Sequence, residues 1–120
     1  ANPMAEKWFF KNVKRNKIDK DKFSFIEGFA EDVVPSLSGK FDRIIMNHPT
    51  SSLNYLDFSK NLLTSQGVLN FYLIADKLKE EPSTNQPFVE SPDWIIKSSR
   101  PVHAYSPSKE LRTYELFLGR

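Results

Sequence analysis

The sequence predicts an α/β fold, in which parallel strands alternate with helices and the sheet closes with an antiparallel strand. Three observations carry that reading. Short β-branched and aromatic runs at residues 23–26, 41–46 and 68–74 are separated by segments of helical spacing. Ile44-Ile45-Met46 is continuously apolar, as in a strand buried on both faces of a parallel sheet. Near the end, two extended segments, residues 101–105 and 113–118, flank Ser106-Pro107-Ser108, the pattern of an antiparallel hairpin.

The elements follow in order. Asn2-Pro3 reads as an N-cap residue with proline at the first helical position. Ala5, Trp8, Phe9, Asn12 and Val13 recur at helical spacing, so the helix ends near Asn16. Residues 23–26 form a short strand that Gly28 terminates, and residues 31–37 a short helix interrupted at Pro35. After the strand at residues 41–46 the chain must turn, because Pro49 cannot continue a central strand. Ser51 or Ser52 caps the next helix, with Leu53, Leu56, Leu62 and Leu63 toward the core, and Gln66-Gly67 closes it. The strand at residues 68–74 leads to a helical turn at residues 76–81. Residues 81–92 contain three prolines and two serines and read as an exposed loop. Residues 94–96 are extended.

A chain of 120 residues suffices for one small domain with one core. Apolar residues make up only 39%, but ten Phe, four Tyr and two Trp each bring a large area to bury. The net charge of +2 makes the molecule as a whole only mildly basic. With no cysteine there are no disulfides and no thiolate metal sites, which suits a reducing cytosol. The two histidines, His48 and His103, lie far apart and argue against zinc. No apolar run approaches the roughly 20 residues of a membrane span, and no secretory signal opens the chain. The expected location is therefore the cytoplasm. The start at Ala1-Asn2-Pro3, not Met, is the one expected of a processed, trimmed or partly ordered polypeptide.

Asn47 and Pro49 are the residues of greatest chemical interest. They stand where a strand stops, at the sheet edge where open α/β folds bind ligands. A side-chain amide there can both donate and accept hydrogen bonds. The plainer role for Asn47 is to cap the turn into the next helix. His48 reads as a rim residue, and His103 as a surface strand residue. From Lys7 to Lys22 there are seven Lys or Arg (Lys7, Lys11, Lys14, Arg15, Lys17, Lys20, Lys22) against two Asp. Such a run suits a phosphate backbone, with Lys11, Lys14 and Arg15 as candidates, or is simply a solvated helix face. Arg100, Lys109 and Arg112 extend a basic surface near the hairpin. Tyr72 and Tyr105 are candidates to stack on a base, whereas Trp8 and Phe9 fit the core stripe of the first helix.

Several segments, taken in order, resemble one family. Asn2-Pro3-Met4-Ala5, Asn12-Val13 and Asn16-Lys17 are similar to a helix of class I methyltransferases. Phe41-Asp42-Arg43-Ile44-Ile45-Met46-Asn47-His48-Pro49, Tyr55-Leu56-Asp57, Gly67-Val68-Leu69-Asn70-Phe71-Tyr72 and Arg100-Pro101-Val102-His103-Ala104-Tyr105-Ser106-Pro107 resemble consecutive motifs of the tRNA (guanine-N1)-methyltransferase, or Met-10-like, family. The resemblance implies a Rossmann-like methyltransferase sheet, incomplete at its N-terminal side and carrying a terminal antiparallel strand. Residues 1–120 would form the C-terminal part of that domain. It also implies S-adenosylmethionine as cofactor, tRNA as partner and methyl transfer to N1 of the guanine just 3′ of the anticodon.

By the same resemblance Asn47 and Pro49 form the catalytic guanine pocket, with Asn2, Pro3, Gly28, Glu31 and Asn47 beside the cofactor. Lys11, Lys14, Arg15 and Arg100 would meet the RNA. The chain departs from the family at His48, where leucine is usual, and at Gly28-Phe29, where an acid normally follows the glycine. The family's glycine-rich loop, ribose-binding acid and general base fall before Ala1. Two alternatives stand beside methyl transfer. One is a wybutosine-pathway aminocarboxypropyl transferase, whose corresponding segment usually lacks Asn-x-Pro. The other is a non-catalytic RNA-binding or scaffold remnant. A sheet lacking its neighbouring strands would also leave edges open to self-association.

Overall fold

The computed structural model describes residues 2–49, 52–77 and 93–119. The helical turn and loop expected over residues 76–92 lie almost wholly outside them. The chain divides into two compact units, Ala1–Leu37 and Ser38–Arg120.

In the first unit, helix α1 spans Ala5–Arg15. It starts two residues later than a cap at Asn2-Pro3 would place it. The Asn2 side-chain oxygen instead accepts the Met4 N–H at 2.9 Å, and its carbonyl accepts the Ala5 N–H at 3.1 Å. These bonds make a turn that feeds the helix. The helix ends as expected, with Asn16 as C-cap. Lys17 follows in the left-handed region at φ 53°, while Ile18 N–H reaches the Val13 carbonyl and Lys17 N–H the Lys14 carbonyl. This is the pattern of a Schellman cap, a position that favours glycine.

The strand expected at residues 23–26 does not form: the segment is unpaired among the described residues. Aromatic packing takes the place of a ladder. Phe23 and Phe25 lie 5.2 and 5.0 Å, ring to ring, from Phe9 of α1. Helix α2 (Ala30–Val33) passes directly into a single 3-10 turn carrying Pro35, the expected interrupted helix.

The second unit holds strand β1 (Phe41–Met46), helix α3 (Leu56–Leu62) entered through a 3-10 turn, and strands β2 (Leu63–Asp76), β3 (Trp94–Ala104) and β4 (Lys109–Leu118). The sheet is open and mixed, in the order β1-β2-β4-β3. β1 and β2 are parallel, and β4 runs antiparallel to both its neighbours. The expected closing hairpin is present, and its first strand is longer than two separate extended pieces, because residues 94–104 form one strand with two register shifts.

Gln66-Gly67 does not end a helix. α3 stops at Leu62, and β2 begins at once. The turn signal is absorbed as an irregularity in the β1–β2 ladder: pairing steps from Phe41↔Leu63 to Arg43↔Val68. Gly67 is buried there, and a Cβ on it would stand 2.6 Å from Leu63 Cγ.

One face of the sheet is the core. Leu69, Phe71, Tyr114 and Leu116 are at most 1% exposed, and Leu56, Leu63, Leu73 and Trp94 join them. Each such side chain contributes about 1.5–3 kcal/mol by leaving water. Leu53, expected on that face, is 41% exposed, because the chain is still in the 3-10 turn before α3 begins.

The opposite face is polar. Arg43 is hydrogen-bonded to Asn70 and lies 3.9 Å from Glu115, which accepts a bond from Ser98 at 3.2 Å. The ladder crosses all four strands. β1 is therefore not buried on both faces. Ile44 and Met46 pack on the core, whereas Ile45 is 67% exposed. The physical reason is cover: among the described residues β1 pairs on one side only, and the face that carries Ile45 borders this solvated ladder with nothing packed over it.

Candidate functional site

β1 and β2 run parallel, so their carboxyl ends share one edge of the sheet. Their last registered pair is Met46↔Phe71, and Asn47-His48-Pro49 follows at that edge. Asn47 and His48 are exposed and Pro49 half-buried. The Ile74 N–H of β2 donates to the Pro49 carbonyl at 3.4 Å, so the bend is tied to the neighbouring strand. The His48 ring stands 6.0 Å from that of Tyr55, which lies 6.3 Å from Phe58 on α3. The result is an exposed asparagine on a tethered proline turn, with an aromatic row beside it. An asparagine amide can satisfy the donor and acceptor edge of a planar heterocycle. Among the described residues no cluster of His, Cys, Asp and Glu could hold a metal ion.

The other expected cofactor residues lie in the first unit. Asn2 and Pro3 occupy the exposed turn before α1. Gly28 has φ 147°, and a Cβ there would meet Val33 Cγ2 at 2.7 Å, so both backbone and space require glycine. Phe29 is the N-cap residue of α2, is 57% exposed, and stands at the position where the resemblance implies an acid. Glu31 lies exposed in the first turn of α2.

Of the candidate RNA contacts, Lys11, Lys14 and Arg15 are exposed on α1, and Arg100 is exposed on β3. Lys109 is bound to Asp76 at 3.2 Å. Tyr105 is 60% exposed and Tyr72 half-buried. His103 is exposed on β3, as expected of a surface strand residue.

Two expectations need correction. Arg112 is not part of a basic surface. It is 6% exposed, donates to the Ser99 hydroxyl at 3.2 and 3.0 Å, and pairs with Glu110 at 2.7 Å. Period-two alternation along Glu110, Arg112, Tyr114 and Leu116 was the signal for it, since it places all four on the core face. Burial raises the Tyr114 phenol pKa, opposed by the neighbouring Arg112 charge. Trp8 is not in a core stripe either. Phe9 turns inward, while Trp8 is 50% exposed, with Lys11 Nζ 4.9 Å and Lys7 Nζ 5.8 Å from its ring. Both residues suit helical spacing, but only one face of α1 meets the phenylalanine cluster.

An open α/β sheet with a polar turn at the carboxyl edge of its parallel pair defines a class of ligand-binding α/β domains. The chain belongs to the TRM5/TYW2 methyltransferase domain family, whose model matches residues 1–90. Among solved structures, Trm5b from Pyrococcus abyssi superposes with a TM-score of 0.76 at 21% identity, covering 99% of this chain and 36% of that one. The tRNA m1G37 methyltransferase of M. jannaschii gives 0.76 at 23% identity, covering 99% and 36%. TYW2 of M. jannaschii, solved with AdoMet, gives 0.66 at 19% identity, covering 98% and 55%. At these identities the likeness establishes the fold, a Rossmann-like methyltransferase sheet. The chain spans about a third of the first two proteins' length. No curated protein matches it.

Proposed function

We propose that this chain is the C-terminal part of a tRNA methyltransferase domain that transfers a methyl group from S-adenosylmethionine to N1 of the guanine just 3′ of the anticodon. The observation that carries the reading is the exposed Asn47 on a tethered turn at the carboxyl edge of the β1–β2 pair. Family membership supports methyl transfer, and the M. jannaschii relative is itself a tRNA m1G37 enzyme.

S-adenosylmethionine, when bound, supplies an electrophilic methyl on a sulfonium. Asn2, Pro3, Gly28, Glu31 and Asn47 are the residues of this chain assigned to it. Within the first unit, the Asn2 amide, the Glu31 carboxylate and the backbone turned tightly at Gly28 are groups that suit a nucleoside with an amino-acid tail. Asn47 and Pro49 hold the guanine edge. N1 loses its proton as it gains the methyl, so alignment of that nitrogen governs the rate. Correct orientation supplies much of the acceleration in such a displacement. Lys11, Lys14, Arg15 and Arg100 are assigned to the RNA phosphates. The cytoplasm is the proposed compartment, in keeping with the absence of any helix among the described residues long and apolar enough to cross a membrane. The outer edge of β1 is the place for pairing with a second copy.

The test is tritium transfer from labelled S-adenosylmethionine to a tRNA transcript bearing that guanine, using the full-length protein. Asn47→Ala is expected to abolish transfer even at saturating cofactor. Undiminished transfer by that variant removes the proposed role of Asn47. The likeness to TYW2 makes aminocarboxypropyl transfer the second reading. Mass analysis of the modified nucleoside separates the two, since one product gains a methyl and the other an amino-acid side chain.

A further inference from the structure

We infer that the outward face of α1 is a single-stranded RNA contact, with Trp8 as the stacking platform for an unpaired base and Lys7, Lys11 and Arg15 as its phosphate clamps. The inference rests on the tRNA reading above and deepens it by naming a residue that reading does not use.

α1 has two unlike faces. Ala5, Phe9 and Val13 are half-buried, and Phe9 packs on Phe23 and Phe25. Met4, Lys7, Trp8, Lys11 and Arg15 recur three or four residues apart, so they share a second face, and all are exposed. No residue of α1 is fully buried. An indole that is 50% exposed and flanked by two ammonium groups is a costly surface for water alone to cover. Between Lys7 and Ile18 the chain contains no acid, so nothing on this stretch neutralises the cations.

The geometry chooses the occupant by its chemistry. A nucleic-acid strand offers planar bases and phosphates in alternation. The ring accepts the base, and the lysines now over the indole swing onto the flanking phosphates. A cation over an exposed ring is a weak contact, and a base stacked on an aromatic side chain is a stronger one. The exchange is therefore favourable. Duplex RNA buries its base faces and cannot make it.

The chain carries its own reporter. Its two tryptophans are Trp8 and Trp94, and Trp94 is 7% exposed. The Trp94 indole N–H has no hydrogen-bond partner among the described residues, so Trp94→Phe gives up no such bond and leaves Trp8 as the one indole fluorophore of these 120 residues. Single-stranded oligoribonucleotide is expected to quench that emission, whereas blunt duplex RNA of equal length quenches little. Trp8→Ala, followed by anisotropy of labelled oligonucleotide, is expected to weaken binding roughly tenfold or more, with Trp8→Phe recovering part of the loss. Lys7→Gln with Lys11→Gln lowers the salt dependence. Unchanged affinity in Trp8→Ala overturns the proposal, as does equal quenching by duplex. Quenching by phosphatidylserine vesicles without quenching by RNA assigns the face to a membrane surface and also overturns it. None of these readouts requires methylation, so a full-length protein that binds RNA through Trp8 yet transfers no methyl would sink the methyl-transfer reading and leave this one standing.

Discussion

The backbone amide of Ile74 donates to the carbonyl of Pro49 across 3.4 Å, which ties the turn after β1 to the middle strands of the sheet. That bond positions Asn47 from outside its own strand. Its neighbours on β2, Leu73 and Ala75, are buried, so the anchor is rigid although the turn is exposed.

Pro49→Gly should therefore lower catalysis more than stability. The tether survives because it uses a carbonyl, but the backbone before it gains freedom. Misplacement of a positioning group by about 1 Å can cost on the order of a hundredfold in rate. Single-turnover transfer by the full-length protein, compared with its urea unfolding midpoint, separates the two effects.

Lys17→Gly should stabilise the chain by up to about 1 kcal/mol, because Lys17 occupies a left-handed helix C-cap at φ 53°. Urea unfolding of the two proteins side by side measures the gain. A loss would mean that the cap is not formed in solution.

Gly67→Ala should destabilise by about 1–3 kcal/mol through overpacking, since the new methyl would meet Leu63 at 2.6 and 2.7 Å. Leu63→Ala made together with it should cost less than the sum of the two single changes. A double-mutant cycle by thermal unfolding reads that coupling.

Arg112→Ala should cost about 3–5 kcal/mol, because it leaves Glu110 only 14% exposed with no cation beside it. Adding Glu110→Gln should restore part of the loss. Denaturant unfolding of the four proteins of the cycle tests this, and full additivity would argue against a coupled buried pair.

Tyr114 predicts an alkaline limit. Burial raises its folded pKa above the unfolded value near 10, so folding favours the neutral phenol. This stability is complete below about pH 10 and is lost as pH rises through the folded value. Tyr114→Phe should flatten that part of the pH–stability curve, measured by unfolding from pH 8 to 12 in the range about the ordinary tyrosine pKa.

Local signals succeeded where the chain decides its own geometry. Apolar runs at residues 41–46 and 113–118, the helix stop near Asn16 and the break at Pro35 all stand where the residues place them. The Asn47-His48-Pro49 bend is of this kind too, since proline ends a strand whatever surrounds it. Partnership was not legible in the same way. Phe23-Ser24-Phe25-Ile26 has strand composition, but a strand needs a neighbour, and the rings of Phe9 and Phe10 claimed its side chains first.

What the residues determined alone is therefore the stretches that become α1, β1 and the closing hairpin, the bend after β1 and the charge of the first helix. These depend on backbone chemistry and on spacing within a few residues. The tertiary structure alone decided that Ile45 of β1 lies in solvent, that Gly67 lies inside a strand, that Arg112 is buried with Glu110 and that Trp8 looks outward. Burial belongs to pairs of surfaces brought together from distant parts of the chain, and no single stretch of sequence carries both members of such a pair.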